Sequence, residues 1–126
     1  MSEKIKGILI DPHEKTVQEI ELEKPLLGSL YKAINCQRVD CVSMENVGSV
    51  PHDIVVDDEG MFFPNQRFFR IIPHTPYSIL AGFGVIVSVG KKGEWESHQL
   101  DVEDIKKKVQ FLTGWEARAI AEELGI

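Results

Sequence analysis

The sequence predicts an α+β fold, a mostly antiparallel β-sheet of about six to seven strands with one inserted helix and two C-terminal helices. Three observations predict it. Segments with strand-like alternation follow one another in runs, divided by turn residues and not by helices. A single stripe at helical spacing, Leu26, Leu27, Leu30, Tyr31 and Ile34, interrupts those runs early. Two further stripes close the chain. The resulting order, ββαβββββαα, lacks the βαβ alternation of a doubly wound dinucleotide-binding fold.

Each element has its own warrant. Lys4–Ile10 and Thr16–Leu22 alternate as strands, and Asp11-Pro12-His13-Glu14-Lys15 is turn chemistry between them. Pro25 suits the first position of a helix that runs to about Ile34. Residues 38–45 alternate again, with Asp40, Val42 and Met44 on one side and Val39 and Cys41 on the other. Asn46–Pro51 is a loop, and Asp53–Val56 is a short strand. Asp57-Asp58-Glu59-Gly60 reads as a hairpin turn into a strand from Met61 to Ile72, with Pro64 as a bulge or edge. Pro73-His74-Thr75-Pro76 is a rigid loop. Ile79–Val89 is the most apolar strand and is expected at the centre. Gly90–Gly93 turns the chain into Glu94–His98. Asp101 is a good N-cap for a helix whose stripe is Val102, Ile105, Val109 and Leu112. Thr113-Gly-Trp-Glu116 fits a capping box, and Ala117, Ile120, Ala121 and Leu124 then form a docking stripe.

Composition bounds the function. At 126 residues the chain has room for one domain, residues 1–126, with one core. Its net charge of −6 argues against general nucleic-acid binding, which needs clustered Lys and Arg, though it leaves room for a local basic pocket. The N-terminal residues have no apolar signal core, and the longest apolar run, Ser78–Val89, is too short to span a bilayer. No membrane role and a cytoplasmic location are therefore expected. Cys36 and Cys41 lie five apart, on opposite faces if both are on a strand, and are expected as reduced thiols. His13, His52, His74 and His98 show no metal-ligand spacing, so neither a metal nor another cofactor is expected. Six Phe and two Trp in so small a domain point to self-association as a homo-oligomer.

Several short motifs recur as a set: Ile8-Leu9-Ile10-Asp11-Pro12, Asp57-Asp58-Glu59-Gly60, Asn65-Gln66-Arg67, and Ile79-Leu80-Ala81-Gly82-Phe83-Gly84-Val85. In these the chain resembles an uncharacterised domain family of small phage- and plasmid-encoded proteins. The resemblance spans about residues 4–112 as a core and leaves 113–126 as a C-terminal helical addition. It implies a mobile-element product at work inside a bacterial cell, and such products are often inhibitors, sponges or regulators. It implies no activity.

The candidate site lies on and after the strand of residues 61–72. Asn65 and Arg67 stand among four phenylalanines, and a guanidinium beside an amide and flat rings suits a phosphate, a carboxylate or a stacked base. Arg70 and the Pro-bounded loop with His74 and Tyr77 would complete a ligand pocket. The plainer alternative is a structural Arg67 salt-bridged to Asp57, Asp58 or Glu59 across the hairpin, with Asn65 capping the turn. Gly82-Phe83-Gly84 is no phosphate loop, because no helix start follows it. A bulge or close packing explains its glycines. No catalytic residues stand out: there is no G-x-S-x-G, no activated cysteine and no placed carboxylate pair.

The expectation is therefore a non-enzymatic binding protein of phage or plasmid origin. It would be an anti-defence sponge that sequesters a small anionic or nucleotide ligand at Asn65, Arg67, Arg70, His74 and Tyr77. The alternative is a protein-binding inhibitor or adaptor acting on a host enzyme.

Overall fold

The strands divide into two antiparallel sheets. The computed structural model describes residues 3–60, 65–76 and 78–125. The larger sheet has the order β2 (Thr16–Glu23), β1 (Lys4–Asp11), β7 (Gly84–Val89), β4 (His52–Asp57), β3 (Val39–Ser43), with β8 (Trp95–Glu96) also on β7. The smaller sheet is β6 (Leu80–Ala81), β5 (Phe68–Ile71), β9 (Val109–Leu112). Three helices complete the chain: α1 (Leu26–Ile34), α2 (Val102–Lys108) and α3 (Gly114–Leu124). The fold is α+β, as the pattern of runs predicts.

Strand alternation makes three layers of this. Ile5, Val55, Val85 and Val87 point to the face covered by Leu30 and Ile34 of α1. Ile8, Ile10, Ile54 and Ile86 point to the opposite face, where Phe69 and Ile71 of the small sheet and Ile105 of α2 cover them. The central β7 is therefore apolar on both faces, which is why it reads as a continuous hydrophobic run. Gly84 permits the docking of the small sheet: a Cβ there would lie 2.7 Å from Phe69 Cζ and 3.1 Å from Ile54 Cγ2. The β1–β2 turn forms as expected, with Asp11 Oδ1 accepting from the amides of His13 and Glu14 at 2.9 and 3.1 Å.

Four local expectations are corrected. Asp57–Gly60 does turn, with Asp57 Oδ1 accepting from the Glu59 amide at 2.9 Å, but it does not join a paired hairpin. β4 pairs with β3 and β7, while β5 pairs with β6 and β9 in the other sheet. The expected strand from Met61 shortens to Phe68–Ile71. Met61–Pro64 lie outside the described residues, and Asn65 is left-handed at φ 57°. The strand expected at Ile79–Val89 breaks at Gly82, whose φ of 76° turns the chain from the small sheet into the large one. The helix expected to reach Leu112 stops at Lys108. Val109–Leu112 instead pair with all four residues of β5, an open edge that outweighs local helical preference.

Smaller expectations also meet the structure. Pro25 is the N-cap of α1 and not its first helical residue. The capping box of α3 is complete, with Thr113 Oγ1 accepting from the Glu116 amide and Glu116 Oε1 accepting from the Thr113 amide. Cys36 sits past the end of α1 and not on a strand; it and Cys41 are free thiols. Among the described residues no helix is long and apolar enough to cross a membrane.

Candidate functional site

β5 sorts its residues by alternation. Phe69 and Ile71 point inward and are buried, while Phe68 and Arg70 point to the outer side of the small sheet. Phe68 pairs across with Ala81 and Leu112, so an apolar strip runs over that outer side. α3 lies against it through Ala117, which is buried. The cover is incomplete. A groove of about 820 Å³ remains, lined among the described residues by Val42, Phe68, Ile79, Leu80, Trp115, Ala117, Arg118 and Ala121 with Ser78 and Gly114. Trp115 is 82% exposed at its edge, with the Arg118 guanidinium 5.9 Å from its ring centroid.

Beside the groove is a smaller, more polar hollow of about 380 Å³, lined by Asn65, Gln66, Arg67, Phe68 and Gly114. Its shape comes from the segment before β5. Asn65 takes the left-handed conformation that its side chain tolerates. Gln66 then pins the segment: its Nε2 donates to Gly60 O at 2.7 Å, and its Oε1 accepts from the Arg67 amide at 3.1 Å and from His13 Nε2 at 3.2 Å. Arg67 is left exposed. Two of the acids suggested as its structural partners face another arginine, since Asp58 and Glu59 each approach Arg38 at 3.9 Å.

The five residues proposed from sequence are not gathered into one pocket. Asn65 and Arg67 share the small hollow. Arg70 sits on β5, its Nε donating to Oε1 of its cross-strand neighbour Gln110. His74 is buried elsewhere: its Nδ1 donates to Glu45 O at 2.7 Å, and Lys108 Nζ lies 3.5 Å from its Nε2. It ties the 73–76 loop to the loop after β3, and the Glu45 amide donates back to His74 O at 2.8 Å. Tyr77 lies outside the described residues. Sequence reasoning passed over Gln66 and the groove-lining part of α3. Trp115, which falls outside the stripe of Ala117, Ile120, Ala121 and Leu124, is the sequence signal for the latter.

The other polar groups have structural partners. His52 is buried; its Nδ1 donates to Val50 O at 2.9 Å and its Nε2 accepts from the Gln99 amide at 3.0 Å. Burial pushes its pKa down from 6.5 despite the Val50 bond, with His98 and His74 adding to the depression. His98 Nε2 donates to Glu19 Oε1 at 2.6 Å. Partial desolvation first, and neighbouring aspartates second, push the Cys36 and Cys41 thiols up. Among the described residues no group of three His, Cys, Asp or Glu side chains is placed to hold a metal ion. The arrangement presents groups suited to non-covalent contacts: the exposed guanidinium groups of Arg67 and Arg118, an amide and an apolar wall.

Residues 5–111 match the model of a family described as a domain of unknown function (DUF3846), so α3 lies beyond the matched residues. No curated protein matches the chain, and no solved structure matches it.

Proposed function

The chain belongs to the DUF3846 family, and we propose that it is a non-enzymatic binding protein of phage or plasmid origin that sequesters a small anionic ligand inside a bacterial cell. One observation carries this reading: Arg67 is exposed in a formed hollow, on a chain whose net charge is −6. Among the described residues Arg67 makes no ion pair, although Glu116 is near enough for its charge to act on it, and its guanidinium offers a planar fork to phosphate or carboxylate oxygens. Asn65 supplies an amide beside it. Arg70 and His74 belong to the scaffold in this reading, because Gln110 and Glu45 engage them.

Calorimetric titration of the purified chain with inorganic phosphate and nucleoside monophosphates tests it. Arg67→Ala is expected to abolish anion binding, and Arg70→Ala to leave it within about twofold. Equal affinities in both variants would remove the site. Release of inorganic phosphate or free base from the nucleoside monophosphates would remove the non-enzymatic part of the reading.

A second reading is favoured by Trp115, which is 82% exposed. An indole so placed is the anchor expected of a protein-binding inhibitor or adaptor. That reading predicts one stoichiometric host protein retained by the wild-type chain and lost with Trp115→Ala. Retention unchanged by that substitution would exclude it.

A further inference from the structure

The groove under α3 and the Arg67 hollow share two walls, Phe68 and Gly114, so they adjoin each other. A bare anion would occupy the small hollow and leave about 820 Å³ beside it empty. That volume falls within the range of small-molecule sites, ~300–1,000 Å³. Its walls are apolar or aromatic: Phe68, Leu80, Trp115. Along α3 the residues facing it at positions 114, 117 and 121 are Gly, Ala and Ala, and a larger side chain at any of them would fill the space. Arg118, held near the Trp115 ring, adds a second guanidinium at the groove. On this acidic chain one arginine therefore lines the apolar groove and another lines the hollow adjoining it.

Resting on the anion-binding reading above, we infer that the ligand is a nucleoside phosphate, or a molecule of the same chemistry, with its flat ring in the α3 groove against Trp115 and its anion at Arg67. Stacking on an indole accepts any base, because every base has a π-face. Glu116 carries a carboxylate in the first turn of α3. Its carboxylate is bound to the Thr113 amide and is held below its usual range mainly by Thr113, with Lys15 and Arg67 contributing. An incoming anion shares Arg67 with that carboxylate. Glu116→Gln keeps a capping-box residue and removes the competing charge.

The test uses the full chain and four kinds of probe in calorimetry: inorganic phosphate, adenosine or uridine, their monophosphates, and a short single-stranded oligonucleotide. The monophosphates are expected to bind at least tenfold tighter than phosphate or nucleoside alone. Trp115→Ala, and Ala117→Leu checked for folding by circular dichroism, are expected to weaken the monophosphate about tenfold and leave phosphate unchanged. Glu116→Gln is expected to tighten it a few-fold. The oligonucleotide arm separates the sources. Binding tighter than the monophosphate assigns the ligand to a nucleic-acid strand with the same ring-and-phosphate chemistry, and weaker binding assigns it to the free nucleotide. If Arg67→Ala abolishes phosphate binding but the monophosphates gain nothing over phosphate, the groove assignment fails and the anion site stands. If no probe binds, or Arg67→Ala changes nothing, both fall.

Discussion

The two sides of β5 behave as different kinds of surface. Inward, Phe69 and Ile71 are fully buried, and Phe69 seats on a glycine that leaves room for its ring. Outward, Phe68 is half-buried under a helix that buries Ala117 and leaves Trp115 in solvent. The strand is the same and successive side chains simply alternate. The difference shows that close packing and open, half-exposed surface can be divided between neighbouring residues. The inner side holds the two sheets together, and the outer side has an apolar surface that the fold does not use up.

That contrast can be broken from the inner side first. Phe69→Ala is expected to be the largest effect, a loss of ~3–5 kcal/mol in chemical denaturation, because a buried ring leaves a cavity between the sheets. A loss below about 1 kcal/mol would mean that the two sheets do not depend on this contact. Gly84→Ala comes next, at about 1–3 kcal/mol, since the new methyl meets Phe69 and Ile54 in a packed interior. The inner side should also respond to acid. His52 lies on the same face of β4 as Ile54 and Val56, and its folded pKa is depressed by burial. A folded state that binds protons less readily than the unfolded chain is fully favoured above pH 6.5 and loses stability as pH falls through that value. Protonation of Nε2 also breaks its bond from the Gln99 amide. Melting temperatures measured from about pH 7.5 down to about pH 5 should fall, and His52→Gln should flatten the slope. An unchanged slope in that variant would assign the acid sensitivity to other groups. The smallest effect is expected outside: Trp115→Ala should change stability by no more than about 0.5 kcal/mol while it weakens monophosphate binding about tenfold. A larger destabilisation would place the indole in the scaffold and erase the contrast between the sides.

Legibility in the sequence followed how local each cause was. The Asp11–Lys15 turn and the Thr113 capping box need only neighbouring residues, and both were readable. The stripe Val102, Ile105, Val109, Leu112 was misleading. Its last two apolar residues satisfy strand spacing equally well, and the open edge of β5 decided between them. Asn65 and Arg67 were legible as a polar pair among aromatics, and they do line one hollow. Arg70 and His74 looked equal to them in one dimension. Their partners, Gln110 and Glu45, come from segments 40 and 29 residues away and take them out of that hollow.

By itself the sequence determined the class of fold, the turns, the caps and the acidic, largely antiparallel character of this chain, because hydrophobic period and turn chemistry act over a few residues. Tertiary structure alone decided that the strands split into two sheets, that Gly82 and Gly84 form the crossing, and that α3 leaves a groove beside Arg67. These depend on which distant edges and faces find each other, and such long-range pairing is set by the packing of the whole chain.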